Sequence, residues 1–359
     1  MSFETNGLVC AHHHLYSALA RGMPAPPSTP ASFIDILRSV WWRLDVALDL
    51  DIIYWSAALG GAEALLNGTT AIIDHHESPS AIDGSLDVIA EACAMIGIRT
   101  NLCYGVTDRW PDSDASGPLS RVDPTGSMSD GARRGLAENE RFLRAGGRGM
   151  VGVHAAFSCT DETLRTAADL ARSLDVGVHI HVAEGPEDRD AGARLEELAR
   201  DNWLLVHAVH LDRPLRGTIA HNPRSNMNNA VGYAAPASRP NTVVLGTDGI
   251  GADMLEEARL AYVRSREHDV TSTPDLAWKW LTNGETFFPE VTRDRVTWSY
   301  DHVESPWHVA FSPGTRVVDV RVEGELVVED GRPTRFDLAE VRAKAAEAAS
   351  RLHRRLSDN

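Results

Sequence analysis

Eleven of the fifteen histidines, at positions 12, 13, 14, 75, 76, 154, 179, 181, 207, 210 and 221, stand within or at the end of short strand-like segments. Scatter would not collect them there. His12 and His14 are two apart on an extended run, so both imidazoles can face one side while His13 faces the other. Neutral imidazole is the commonest zinc ligand, which makes the pair a metal-ligand expectation. In His179-Ile180-His181-Val182-Ala183-Glu184, His181 is the better ligand of its pair, because Glu184 must lie past the strand end to reach the same place. Asp248 follows the apolar run Val243-Val244-Leu245 and would add an anionic ligand; a cap for the helix beginning near Asp253 is the lesser alternative, and the three histidines set it aside. Three neutral imidazoles and one carboxylate leave a single divalent ion with net positive charge and an open position, as hydrolytic chemistry requires.

Such a set must be assembled from distant parts of the chain. Strand-like segments recur at 7–14, 68–76, 97–107, 148–156, 175–184, 203–210, 217–223 and 242–248. Helical periodicity lies between many of them, at 31–66 in pieces, 84–96, 130–145, 160–173, 187–201 and 253–267. Eight such units predict an α/β fold, a (β/α)8 TIM-type barrel whose strand C-termini converge on one face. Residues 108–129 and 224–241 lack a helical period and are expected as loops. Beyond about 285 the pattern changes: 307–312, 316–322 and 324–329 suggest small antiparallel strands, and 338–356 a terminal helix. The expected division is a hydrolase barrel over 1–285, a small β subdomain over 286–336 and a C-terminal helix over 337–359.

The chain has 359 residues, 43% of them hydrophobic, and a formal net charge of −16. That charge repels phosphate backbones and anionic membranes, so nucleic-acid and membrane partners are excluded in favour of a small-molecule substrate. No apolar stretch reaches membrane-spanning length and no signal segment opens the chain, which predicts a cytoplasmic protein. The four cysteines show no metal-binding spacing and are expected as buried thiols.

The strings HHHLYSALARGM, WWRLD, IIDHHESPSAI, HAAFSCTDETL, HIHVAE, AHNPRSNMNNAVGY and GTDGIGADM together resemble the amidohydrolase superfamily, in its deaminase and chlorohydrolase branch and closest to the SsnA-type aminohydrolases. The resemblance runs from about Gly7 to the terminal helix. It implies a mononuclear site with His12, His14, His181 and Asp248 on the metal, zinc first and iron(II) second. It also implies that Glu184 shuttles protons and that His207 orients the attacking water, His210 being the competitor on the same segment. The sequence supports one metal independently: dinuclear relatives bridge their ions with a strand lysine, and the two lysines here, Lys279 and Lys344, lie in no strand-like segment. His154 ends the fourth strand, where those relatives place that lysine, and is expected to contact substrate. Tyr16, Arg109, Asn222, Arg224 and Asn226 lie in or beside strand-end loops and are expected contacts too. His75 and His76 would stand behind the ligands, and Trp41 and Trp42 would either wall the pocket or fill the core.

Relatives carry a longer segment before the first strand, half of a small β-sandwich, where this chain has only Met1 to Asn6. The C-terminal strands are therefore expected as an N-terminally truncated sandwich, completed by another subunit in a homodimer or covered in some other way. The expected activity is deamination: hydrolysis of a C–N bond in an amidine-like heterocycle or guanidino compound by metal-activated water. The rivals are hydrolysis of a cyclic amide or a halogenated ring on the same site, and a non-catalytic binding protein, against which the retention of Glu184 speaks.

Overall fold

The computed structural model describes residues 3–110, 121–300, 305–312 and 314–358. Fourteen strands are defined among them: β1 (Phe3–Thr5), β2 (Leu8–His14), β3 (Thr69–His76), β4 (Arg99–Tyr104), β5 (Val151–Ala155), β6 (Val178–Val182), β7 (Leu204–His207), β8 (Thr218–His221), β9 (Val243–Leu245), β10 (Asp248–Gly249), β11 (Arg295–Trp298), β12 (Val317–Val322), β13 (Glu325–Glu329) and β14 (Arg332–Pro333). Two parallel sheets, β10-β2-β3-β4 and β5-β6-β7-β8-β9, hold all eight expected strand segments. Parallel bridges Leu102↔Gly149 and Val106↔Val153 join β4 to β5. On the far side, β9 continues through Gly246 and Thr247 into β10, with Thr247 N donating to the His12 carbonyl (3.0 Å). Gly246 is required there, since a Cβ would stand 2.7 Å from that same carbonyl and 2.5 Å from Asn222 Oδ1.

Parallel strands covered on both faces should read as continuous apolar runs, and β3, β5, β6 and β7 are buried at every residue. Two core clusters follow from their alternation. Val9, Ala11, Ile73, Cys103, Val206 and Val244 pack together with Phe288 and Val291, whereas Leu8, Cys10, Ile72, Leu102, Ile180 and Leu205 pack against the helices. Helix 50–66 starts where Asp49 accepts from the Ile52 amide (2.8 Å) and is buried along most of its length. The C-terminal helix, Leu338–Asp358, lies against it, burying Leu352 and Leu356 and pairing Arg351 with Asp51 and Arg355 with Asp49.

The remaining strands form a five-stranded antiparallel sheet, β1-β11-β12-β13-β14. This corrects two expectations. Residues 306–311 are helical, because Pro306 sits at the first helical position where its fixed φ favours a helix start. Phe3–Thr5 and Arg295–Trp298 supply strands that the sequence reading missed. The expected loop 224–241 also holds a helix, Pro223–Asn228, again begun by proline, and helix 187–201 contracts to Ala191–Leu195 with a short 3-10 turn before it. Of the expected loop 108–129, residues 111–120 lie outside the described residues, as does Pro313. All four cysteines are buried and free, and no described helix is long and apolar enough to cross a membrane.

Candidate active site

The histidines meet at the C-terminal ends of the parallel strands, and their Nε2 atoms point at one another. His12 Nε2 lies 3.0 Å from Asp248 Oδ1 and His14 Nε2 lies 3.2 Å from the same oxygen. His181 Nε2 is 3.3 Å from His14 Nε2, and His207 Nε2 is 3.8 Å from Asp248 Oδ1. The reason for this uniform orientation is that every Nδ1 is engaged on the other side. His14 faces the His75 carbonyl (2.6 Å), His181 the His154 carbonyl (2.7 Å), His207 the Asn226 Oδ1 (2.7 Å) and His12 the His179 ring (2.8 Å). A neutral imidazole donating through Nδ1 has its lone pair at Nε2, so four lone pairs and a carboxylate converge.

This donor set fits a divalent cation. Ligand atoms of His12, His181, His207 and Asp248 lie within 4.8 Å of one another, and those of His14, His75 and His181 form a second, overlapping set. His207 Nε2 is buried without a hydrogen-bond partner, and His14 and His181 face each other Nε2 to Nε2 at 3.3 Å, a contact that needs a proton or a cation between the two nitrogens. Burial, reinforced by the neighbouring imidazoles, keeps His12 and His181 neutral, His181 down to about 3. Burial works against ionisation of Asp248 as well, but its contacts with His12 and His14 outweigh that and hold the carboxyl well below the usual range. Burial likewise opposes protonation of His14, yet the adjoining Asp248 carries it up to about 9, so the cluster draws in positive charge. Ser225 Oγ donates to the second Asp248 oxygen (2.5 Å).

Local backbone strain sets the last two groups. His207 (φ 68) and Asp248 (φ 69) both occupy the left-handed region, which costs a non-glycine residue on the order of 1–3 kcal/mol. Hydrogen bonds from Ala208 N to the Val182 carbonyl (3.0 Å) and from Gly249 N to the Thr247 carbonyl (3.0 Å) hold the turns that follow them. Beyond the cluster, Glu184 Oε2 lies 3.4 Å from His207 Nε2, and Asn229 donates to its other oxygen (3.4 Å). Burial pushes the Glu184 carboxyl up to about 7, with the Asp248 charge adding to it and His207 opposing.

A cleft opens over this cluster, walled by Phe33, Leu37, Trp41, Trp42 and Phe157. Tyr16 and His154 line it, His154 with Nδ1 on Ser158 Oγ (2.6 Å). The other expected substrate contacts sit elsewhere or are already engaged. Asn226 and Asn222 are buried beneath the cleft beside His207 Nδ1, at 2.7 and 3.4 Å. Arg224 turns away from it, to Glu257 (2.8 Å) and the carbonyls of Thr247 and Gly249, because those acceptors lie within reach of its base. Arg109 borders the cleft but is buried, bonded to Asp45 (2.8 Å) and in contact with Glu77, between the rings of Trp42 and Trp110. His76 is bonded to Ser78 (2.8 Å), and the ring of His75 to the Val153 carbonyl (3.1 Å).

The sequence reading missed Asp45, Glu77, Ser225, Asn229 and the pairing of His179. The signal available for most of them was their place inside the strings WWRLD, HHESPSAI, AHNPRSNMNN and HIHVAE. Removing the charge from Arg109, as in Arg109→Met, leaves two buried carboxylates facing each other. The expected cost is about 3–5 kcal/mol at neutral pH, read from urea unfolding. A loss under about 1 kcal/mol would show that the triad contributes nothing as a unit.

The amidohydrolase family profile matches residues 5–282 of the chain. The chain belongs to the amidohydrolase family. Among similar proteins, this amidohydrolase is 29% identical to the 5'-deoxyadenosine deaminase of Methanopyrus kandleri, over 96% of this chain and 86% of that one. It is 29% identical to a 5-methylthioadenosine/S-adenosylhomocysteine deaminase of Desulforudis audaxviator, over 97% and 86%. It is also 29% identical to the 8-oxoguanine deaminase of Pseudomonas aeruginosa, over 96% and 86%. Its fold is shared with a zinc-bound adenosine deaminase from Xanthomonas campestris (TM-score 0.75, 21% identity, 98% and 86% covered). A zinc-bound atrazine chlorohydrolase from Arthrobacter aurescens shares it too (TM-score 0.78, 22% identity, 96% and 88% covered).

Proposed function

We propose that this amidohydrolase is a zinc-dependent deaminase of uncharged, amino-substituted nitrogen heterocycles, aminopurines first among them. The observation that carries the reading is Glu184, a buried carboxyl shifted to about 7 and placed 3.4 Å from His207 at the rim of the histidine cluster. His12, His14, His181 and Asp248 would hold the cation. When bound, a divalent ion lowers the pKa of water from about 15.7 to about 7 and so supplies a nucleophile at neutral pH. Glu184, titrating near neutrality, takes the proton of the attacking water and returns it to the leaving nitrogen. His207, fixed through Nδ1 by Asn226, directs its Nε2 lone pair toward the reacting centre, where it accepts a hydrogen bond from the attacking water and orients it. Iron(II) is the competing metal, and elemental analysis of the purified protein separates the two.

The cleft supports an uncharged, flat substrate. Four aromatic rings, Phe33, Trp41, Trp42 and Phe157, stand in its walls, and the arginine that borders it is neutralised by Asp45 and Glu77. Deaminase names among the relatives, on adenosine derivatives and on 8-oxoguanine, agree with that chemistry. The two parallel sheets, bridged on one side and continuous through β9 and β10 on the other, support closure as a (β/α)8 barrel within 1–285, with four strands of the antiparallel sheet over 286–336, the fifth being β1 at Phe3–Thr5, and the terminal helix over 337–359. The test is ammonia release from the zinc-loaded protein with adenosine, 5'-deoxyadenosine, 8-oxoguanine and adenosine 5'-monophosphate. Release is expected from one or more of the three uncharged compounds, with the phosphate ester turned over at least about tenfold more slowly than adenosine, the factor one unit of 1.4 kcal/mol represents. Preferred turnover of the phosphate ester would overturn the reading of the cleft. Chloride release from a halogenated triazine without any ammonia from aminopurines would overturn the deaminase assignment itself.

A further inference from the structure

Three of the four converging imidazoles are fixed by oxygen acceptors, but His12 is not. Its Nδ1 meets another imidazole, His179 Nε2, at 2.8 Å. Behind it, His179 Nδ1 lies 3.4 Å from Cys103 Sγ, which in turn lies 3.5 Å from the Asp74 carbonyl. His12, His179 and Cys103 are all fully buried, so water does not interrupt the chain.

We propose that His179, backed by Cys103, is a positioning residue for the cation site: it holds His12 in the Nδ1–H tautomer and thereby frees the His12 Nε2 lone pair for the metal. The inference rests on the reading of His12 as a ligand and extends it. One end of the chain fixes all the others. The Asp74 carbonyl can only accept, so the Cys103 S–H points at it, and the sulfur then accepts from His179 Nδ1–H. A neutral His179 protonated at Nδ1 has its lone pair at Nε2 and accepts from His12 Nδ1–H. The His12 proton is therefore turned away from Asp248, and Nε2 meets the cation bare. The opposite tautomer of His179 would present N–H to His12, push the His12 proton onto Nε2 and block the ligand position. An outer partner of a metal-bound imidazole fixes both its tautomer and its ring orientation, and losing one typically costs about 10–100-fold in metal affinity.

The test uses the full chain with cobalt(II) as probe, measuring affinity by chelator competition and ligand geometry by the visible d–d spectrum. His179→Leu removes the acceptor at similar bulk and is expected to weaken cobalt binding by about 10–100-fold with an altered spectrum. His179→Gln places an amide oxygen within reach of His12 Nδ1 and is expected to recover most of that loss. His12→Ala is the reference that removes the ligand itself. Parental affinity and spectrum in His179→Leu, alongside metal loss in His12→Ala, would overturn the positioning role while leaving the ligand assignment intact. Retained metal in His12→Ala would instead overturn the ligand assignment and the proposal with it. Should His179→Leu fail to fold, judged by circular dichroism, the pair Cys103→Ala and Cys103→Ser carries the question. Loss of affinity in the alanine variant with recovery by the serine hydroxyl is expected, and no loss in the alanine variant overturns the relay. Independently, ¹⁵N spectra of the zinc-loaded protein should show His12 and His179 both protonated at Nδ1, and a His179 protonated at Nε2 is incompatible with the proposal.

Discussion

Glu184→Gln is expected to reduce turnover by roughly 10⁴-fold, the upper end of the 10²–10⁴ range for one general acid–base group, because the same residue serves both proton transfers. The substitution preserves size and one acceptor oxygen, so Asn229 keeps a partner and the fold should be unchanged. What disappears is a carboxyl that burial holds near neutrality, where it can both accept and release a proton. Metal content should remain as in the parent, since Glu184 touches the cluster only through His207 Nε2 (3.4 Å) and is not among its grouped ligand atoms. Turnover above about a tenth of the parental value with full metal would move the shuttle to another residue, His207 or His210 being next in line.

His14→Ala is expected to strip the protein of bound metal, and His13→Ala to retain it. His14 Nε2 stands 3.2 Å from Asp248 and 3.3 Å from His181, whereas His13 turns to the other side, where its Nδ1 meets Thr247 Oγ1 at 2.7 Å. Burial keeps His13 neutral, down to about 3, and removing its ring should cost stability through the cavity left behind. The measurement is metal per folded chain after exhaustive dialysis, with circular dichroism counting the folded fraction. Loss in both variants to the same degree would mean that the strand register drawn for His12 and His14 is wrong.

Much of the site was legible because strand-end position and residue type are local properties. A short apolar run ending in His or Asp suggests a parallel strand that delivers a polar group to the crowded end. The eight segments could be read on that basis, and so could His12, His14 and His181 as candidate ligands, with Asp248 added only because the three histidines accompany it. Long-range pairing was less legible. Arg109 and Arg224 sit in strand-end segments as expected for substrate contacts, yet each is consumed by carboxylates far away in sequence, Asp45 and Glu77 for one and Glu257 for the other. Nothing in a window around an arginine reveals which distant acid will claim it. The helix at 306–311 departs from the strand expected there for a local reason: Trp307, Val309 and Phe311 alternate like a strand, but Pro306 at the first turn starts a helix.

The sequence by itself determined that these histidines would gather at one end of a set of parallel strands with an acid three residues beyond His181. The tertiary structure decided which way each one points. On β2 the strict alternation that places Val9 and Ala11 together in the inner cluster would carry His13 inward as well. The register shifts between Cys10 and His13 against β3, and this bulge reverses the parity so that His12 and His14 face His181. His207 and Asp248 reach the same point only through left-handed backbone, and His12 presents Nε2 only because His179, from another strand, occupies its Nδ1. Bulges, left-handed turns and tautomers depend on what the neighbouring strand offers, and that is settled when the strands come together.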